Sequence, residues 1–208
     1  MAEKRSAASG APANRPGRRR STNAVELERA AFELFERDGF EATTVEDIAA
    51  AVGISKRTFF RYFESKNDVV WGDFGGQLEV MRAHFARCAE EQPLMEAVRT
   101  VVVEFNRFDP AQVPWHRKRM ELILKVPALQ AHSTLRFREW GEVVADFAAA
   151  RLGVPARELI PQSIAHVALG VAIAAYEYWL TRPGAELADI MDQAFRDLAA
   201  GFDVGERR

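Results

Sequence analysis

A chain of 208 residues allows one medium domain, or a small domain with a larger partner, and its 48% apolar content excludes wholesale disorder. The single cysteine, Cys88, excludes an internal disulfide and fits a reducing compartment, where a lone thiol is more often core filler than a nucleophile. The formal net charge of −2 argues against a generally basic nucleic-acid binder until it is divided along the chain.

Residues 1–20 carry six Lys/Arg against one Glu, a net of +5, while the other 188 residues hold 22 basic against 29 acidic, a net of −7. Between Ser21 and Lys66 nine acidic residues outnumber six basic ones, and only Ser55 to Lys66 is locally positive, with Lys56, Arg57, Arg61 and Lys66 against Glu64. Positive charge therefore sits in two places. The longest apolar run, Val167 to Ala175, is shorter than the ~20 residues of a membrane span, and residues 1–20 contain no apolar segment of secretory type. The expectation is a soluble, cytoplasmic protein with no membrane partner.

Residues 1–20 lack hydrophobic periodicity and are rich in Ala, Pro, Gly and Ser, which reads as a disordered basic arm. From Ala24, apolar residues recur at Leu27, Ala30, Ala31, Leu34 and Phe35, one face of an amphipathic helix that Gly39 ends. Thr43 or Thr44 can cap the next helix, with Glu46 or Asp47 three residues on; its inner face is Val45, Ile48, Ala49 and Val52, and Gly53 closes it. Ser55 caps a third helix, Lys56 to Phe63. Ser65 opens a fourth, which reads through Trp71, Phe74, Leu78, Met81 and Phe85 to about Cys88 despite Gly72, Gly75 and Gly76. Further helices are expected over Leu94–Phe108, Val113–Lys125, Pro127–Leu152, Arg157–Leu180 and Ala185–Phe202, with short breaker segments between them. No stretch alternates with strand period. The fold class is all-α with about nine helices, divided as an arm (1–20), a helix-turn-helix unit (21–68) and a larger helical unit (69–208).

Two short helices joined at Gly53-Ile54-Ser55 have helix-turn-helix spacing. Such a motif needs a glycine-permitted turn, an apolar hinge (Val52, Ile54) and a second helix whose first turn sends polar side chains into the major groove of DNA. Lys56, Arg57 and Thr58 occupy that turn, and arginine is the usual reader of guanine O6 and N7. Phe59 and Phe63 face inward, Phe60 and Arg61 outward, with Tyr62 near the edge. Phosphate contacts are expected at Thr44, Tyr62 and Lys66, and Arg15, Arg18, Arg19 and Arg20 can follow a minor groove. On spacing alone, a plain helical hairpin with surface charges stays open.

The stretch Ala31 to Ala49 (AFELFERDGFEATTVEDIA), followed by Val52 to Asp68 (VGISKRTFFRYFESKND), resembles the DNA-binding domain of TetR-family regulators. The resemblance implies phosphate contacts at Thr44, Tyr62 and Lys66 and groove contacts at Ser55, Lys56, Arg57, Phe60 and Arg61. It departs at position 57, usually small in the family, so the base preference cannot be borrowed. Phe59 to Phe74 and Val126 to Arg136 are similar to the mycofactocin-system branch, which implies acyl-CoA-type effectors. Family resemblance also implies repression, with a homodimer on palindromic operator DNA released by a small molecule. The alternative is a helical protein-interaction module.

In the C-terminal half, Met81, Phe85, Phe105, Phe108, Trp115, Met120, Leu124 and Trp140 together are expected to frame an apolar effector pocket, while any one of them alone reads more readily as plain core. His116 to Arg119 form a basic cluster; Arg117 and Arg119 either grip an anionic head group or lie on a solvated face. The small residues Ala168, Gly170 and Ala172, with Leu187, Ile190, Met191 and Phe195 on the last helix, suit a four-helix dimer interface, although an intramolecular contact alone could account for either face. Gly72, Gly75 and Gly76 read as a kink or a hinge. No catalytic or metal-ligand arrangement is present: the four histidines form no i,i+3 or i,i+4 pair, and P-loop, GxSxG and CxxC motifs are missing. Neither an enzyme nor a resident cofactor or metal is expected.

Overall fold

The computed structural model describes residues 24–202, and among them every regular element is a helix. α1 (Ala24–Asp38), α2 (Val45–Ala51) and α3 (Lys56–Phe59) are followed by α4 (Lys66–Trp71), α5 (Phe74–Phe85), α6 (Leu94–Phe105), α7 (Val113–Lys125), α8 (Pro127–Leu152), α9 (Leu159–Leu180) and α10 (Leu187–Ala199). The basic arm, with Arg18, Arg19 and Arg20, lies outside the described residues.

Each short helix begins where its side chains can satisfy free amides. Thr44 caps α2 in a full capping box: its Oγ1 accepts from the Asp47 amide at 3.1 Å while Asp47 Oδ2 accepts from the Thr44 amide at 2.9 Å. Thr43 is buried and donates to Gly39 O at 2.8 Å. Ser55 and Ser65 cap α3 and α4 through the amides of Thr58 and Asp68. Gly39 and Gly53 take positive φ, +88° and +74°, where a side chain would be strained.

What reads as one fourth helix is two. Gly72 (φ +56°, ψ −139°) turns the chain out of α4, and the Asp73 carboxylate restarts it by capping the Gly76 amide at 3.1 Å. The break thus falls at Gly72, while Gly75 and Gly76 lie in the first turn of α5. α3 is also shorter than the periodicity suggests: after Phe59 the chain closes in turns, with Arg61 and Tyr62 amides bonded three residues back.

α1, α2 and α3 enclose Leu27, Ala31, Phe35, Ile48 and Phe59, all buried. α4 passes beneath α1 onto α7 and α8, and the long pair α8–α9 with α10, α6 and α5 forms the larger layer. Leu187, Met191 and Phe195 of α10 are buried against α6 and α9. α9 is long and apolar enough by composition to span a bilayer, which the uninterrupted Val167–Ala175 run understates. Its Ala165, Ala168, Ala172, Ala175 and Trp179 are buried in the bundle, so it is a core helix with one open side.

Candidate DNA-reading surface and effector cavity

The second helix of the motif is anchored by Phe59 and Phe63, both buried, which turns its other faces outward. Ser55, Lys56, Arg57, Phe60, Arg61 and Tyr62 are exposed, with Thr58 half-buried. Arg57 and Arg61 have no ion-pair partner among the described residues, so both guanidiniums are free to meet a polyanion. Lys56 is held by Glu46 across the turn at 2.6 Å, an exposed pair that contributes little to stability but aims the ammonium. Ser55 and Thr58 hydroxyls share a hydrogen bond at 2.9 Å, and the Thr44 hydroxyl donates to Asp47 at 2.6 Å.

Lys66 is engaged differently from expectation. Its ammonium donates to Phe40 O at 2.6 Å and Thr43 O at 2.9 Å and rests over the Phe40 ring. Partial burial pushes its pKa down despite nearby Glu41. Its charge closes the α1–α2 turn onto α4, and a phosphate contact would have to compete with those carbonyls.

A cavity of about 480 Å³ lies among α1, α4, α5, the end of α6, α7, α8 and α9. Of the residues nominated from the sequence, Phe105, Phe108, Trp115, Met120 and Trp140 line it, together with Trp71, Phe74, Ile123, Phe137 and Ala172. Three expected members are elsewhere. Met81 is fully buried in the core, Phe85 stacks on Phe147 at 4.3 Å between centroids, and Leu124 packs half-buried beside the core. Aromatic density in sequence marks packing in general; only tertiary placement separates a cavity wall from solid core.

Part of the cavity wall is polar and neutral. The Asn106 amide nitrogen donates to Val102 O, and Tyr176 OH donates to Asn106 Oδ1 at 2.5 Å. That leaves the phenol oxygen to accept from His116 Nε2 at 2.8 Å, which puts the proton of the imidazole on Nε2. Burial pushes His116 down to about 4 and pushes the Tyr176 phenol up, so neither is charged at neutral pH. His116 also stacks on Phe108, centroids 3.7 Å apart.

Another part of the wall is ionic. Arg119 Nη2 donates to Glu28 Oε1, and Trp115 Nε1 donates to the same oxygen at 3.2 Å. Burial pushes Arg119 down to about 10, still charged at neutral pH, and its Nε has no partner among the described residues. The paired basic residue, Arg117, does not reach the cavity: its guanidinium covers the Trp179 ring and donates to Trp179 O and Arg182 O. The four-residue basic cluster therefore splits, with Arg119 and His116 inward, Lys118 paired to Glu36 on α1, and Arg117 tying α7 to the end of α9.

Glu28, Asn106 and Tyr176 were missed by sequence reasoning. The available signal was an acid one turn before Phe32 on an apolar stripe, and a tyrosine in an alanine-rich helix. A second polar tie joins the layers: Asp68 on α4 accepts from Ser65 Oγ at 2.6 Å and Arg136 at 2.9 Å and pairs with His132 at 3.0 Å on α8. Burial works to raise the Asp68 carboxyl, but Ser65, Arg136 and His132 outweigh it and hold it below the usual carboxylate range.

The residues expected at a dimer interface do not share an open surface. Ala168, Leu187, Met191 and Phe195 are buried within the chain, Ala172 faces the cavity and Ile190 is half-buried. Only Gly170 is exposed. It lies on an α9 face with Ser163, His166, Val167, Ala174, Glu177 and Tyr178, all exposed, of which Glu177 alone is an acid and none is a Lys/Arg. Among the described residues no group of three His, Cys, Asp or Glu could hold a metal ion.

With this geometry in view, two family models match: "Bacterial regulatory proteins, tetR family" over residues 28–70, and "MftR C-terminal domain" over residues 92–203. A Mycobacterium tuberculosis protein provisionally described as the mycofactocin biosynthesis transcriptional regulator MftR is 41% identical over 190 residues, 91% of this chain and 96% of that one. The Streptomyces glaucescens regulator TcmR is 34% identical over 78% of this chain and 75% of its own. In fold, the chain is similar to Thermus thermophilus FadR, a repressor solved with lauroyl-CoA. The TM-score is 0.56 at 22% identity, over 88% of this chain and 97% of that one. FadR of Bacillus halodurans gives a TM-score of 0.63 at 15% identity, over 86% and 99%. The family consists of regulators and not enzymes, and the helix-turn-helix, the cavity and both family matches meet in one chain: it belongs to the TetR family of bacterial transcriptional regulators.

Proposed function

We propose that this protein is a cytoplasmic repressor that binds a roughly palindromic operator as a dimer and is released by an apolar effector carrying an acyl chain, such as an acyl-CoA. The observation that carries the reading is the position of the cavity. Its ionic wall is built partly by Glu28 of α1, the first helix of the motif unit, so a molecule filling it touches the element that carries the DNA-reading helix. A cavity of about 480 Å³ with mostly apolar walls is in the range of ligand sites and suits an acyl chain, while a CoA nucleotide must stay outside. The Thermus relative's lauroyl-CoA supports this choice. In this reading residues 24–68 read DNA and 69–202 bind effector and partner.

The second copy docks on the open α9 face around Val167, Gly170 and Ala174, where small side chains allow close helix approach. A two-fold dimer then sets two α3 helices about 34–36 Å apart, one DNA turn. The test is a gel shift with DNA upstream of its own gene at low salt, where phosphate contacts are strongest. A shifted band that lauroyl-CoA abolishes is expected. No shift at low salt contradicts the reading.

A further inference from the structure

The cavity's charged wall has a feature that packing alone does not require. Glu28, Asp73, His116, Arg119 and Tyr176 are its titratable groups. Asp73 is occupied in capping α5, and His116 and Tyr176 are neutral and bonded to each other. That leaves one cation, Arg119, and one anion, Glu28, and the two converge. Arg119 and Trp115, both on α7, aim their N–H groups at a single oxygen of Glu28, which arrives from α1. Both side chains are shielded, 13% and 17% exposed. The pair also abuts the α4–α5 joint: a Cβ at Gly72 would stand 2.8 Å from Glu28 Oε2 and 3.5 Å from Arg119 Nη1. One carboxylate thus touches α7, the joint and the cavity at once.

We infer that the head group of the effector, an oxygen acceptor at the end of an acyl chain, takes the place of Glu28 on Arg119 and Trp115, so that binding releases α1. This rests on the reading of the cavity as the effector site. The physical reason is the cost of leaving Arg119 without an acceptor. A shielded guanidinium stripped of its carboxylate is heavily penalised, so Glu28 leaves only when another acceptor arrives. Two N–H groups converging on one position, with Arg119 Nε still unpartnered, match a carboxylate or a thioester carbonyl on a chain lying in an apolar cavity. Glu28 then acts as a built-in competitor of the ligand, and its departure removes the contact that fills the space at Gly72. The two layers lose their tie at the joint between them.

The test measures ligand affinity without DNA, from the fluorescence of the cavity residues Trp71, Trp115 and Trp140 in the full chain. The probes are dodecanoate, lauroyl-CoA and dodecylamine. For wild type, dodecanoate or lauroyl-CoA binds and the cationic dodecylamine does not; which of the two binds tells whether the acceptor is a carboxylate or a thioester. Glu28→Gln removes the competing charge and tightens that ligand about tenfold, within the usual range of coupling between sites. Arg119→Met weakens it by at least as much. Glu28→Asp, which keeps the charge but shortens the reach, falls between wild type and Glu28→Gln and stands in should that variant not fold. A merely structural pair would weaken binding in both Glu28 and Arg119 variants, so equal or looser binding in a folded Glu28 variant overturns the inference, as does binding of dodecylamine. Failure of the regulator reading shows separately, as loss of the gel shift with ligand affinities unchanged.

Discussion

Arg57 stands in the first turn of the reading helix, exposed and without an ion-pair partner among the described residues, whereas neighbouring Lys56 is held by Glu46. In the proposed DNA reading, that contrast makes Arg57 the candidate for base choice and Lys56 a supporting charge. Replacing Arg57 with Ala should remove about 1–3 kcal/mol of discrimination at one base position, read by selecting bound DNA from a random pool. An unchanged consensus would reassign the contact. His116 sets a second prediction at this scale. Its folded pKa is depressed, from 6.5 to about 4, so the unfolded chain binds the extra proton between those values. Stability is fully present above pH 6.5 and falls as pH drops towards 4, by on the order of 3 kcal/mol. Urea unfolding should show this fall in wild type, and a His116→Gln variant should lose that part of it; parallel profiles would refute the burial argument.

At the scale of elements, Lys66 separates two accounts of α4. As a clamp on the carbonyls of Phe40 and Thr43, it fastens the α1–α2 turn to the start of α4. Lys66→Met should then cost about 1–3 kcal/mol of stability, with the slope of log affinity against log salt unchanged. A phosphate contact would instead lower that slope by about one with little loss of stability. The helices themselves were legible in the sequence, because apolar spacing and the caps at Thr44, Ser55 and Ser65 are local signals. The break at Gly72 was not placed, since three glycines compete for it and only the Asp73 cap, which needs the folded turn, decides. The apolar face of α10 was also legible, but periodicity says that a face is covered and not by what. Leu187, Met191 and Phe195 are covered by α6 and α9 of the same chain. Likewise the inward aromatics of α6 and α7 were readable, while Glu28's partner lies 91 residues away and leaves no pattern.

For the whole molecule, the account joins three regions of different character. A small exposed surface carries Lys56, Arg57 and Arg61, an apolar cavity is walled by both layers, and an open face of α9 is the proposed seat of a second copy. Charge is concentrated accordingly: the chain is acidic overall, and in the proposed reading DNA affinity comes from α3, helix N-termini and the net +5 charge of residues 1–20. Of the polar ties that cross between layers, Lys118 with Glu36 is exposed, whereas Glu28 with Arg119 and Asp68 with Arg136 and His132 are shielded, so a small molecule acting on one of the shielded ties can alter the relation of the two layers. The measurement that bears most directly on this is the binding isotherm of the full chain on DNA from upstream of its own gene, at low salt, with and without lauroyl-CoA. The account predicts binding of two chains per site and a loss of affinity of at least fivefold when the ligand is present. A saturated cavity that leaves DNA affinity unchanged, or no DNA binding at low salt, would contradict it.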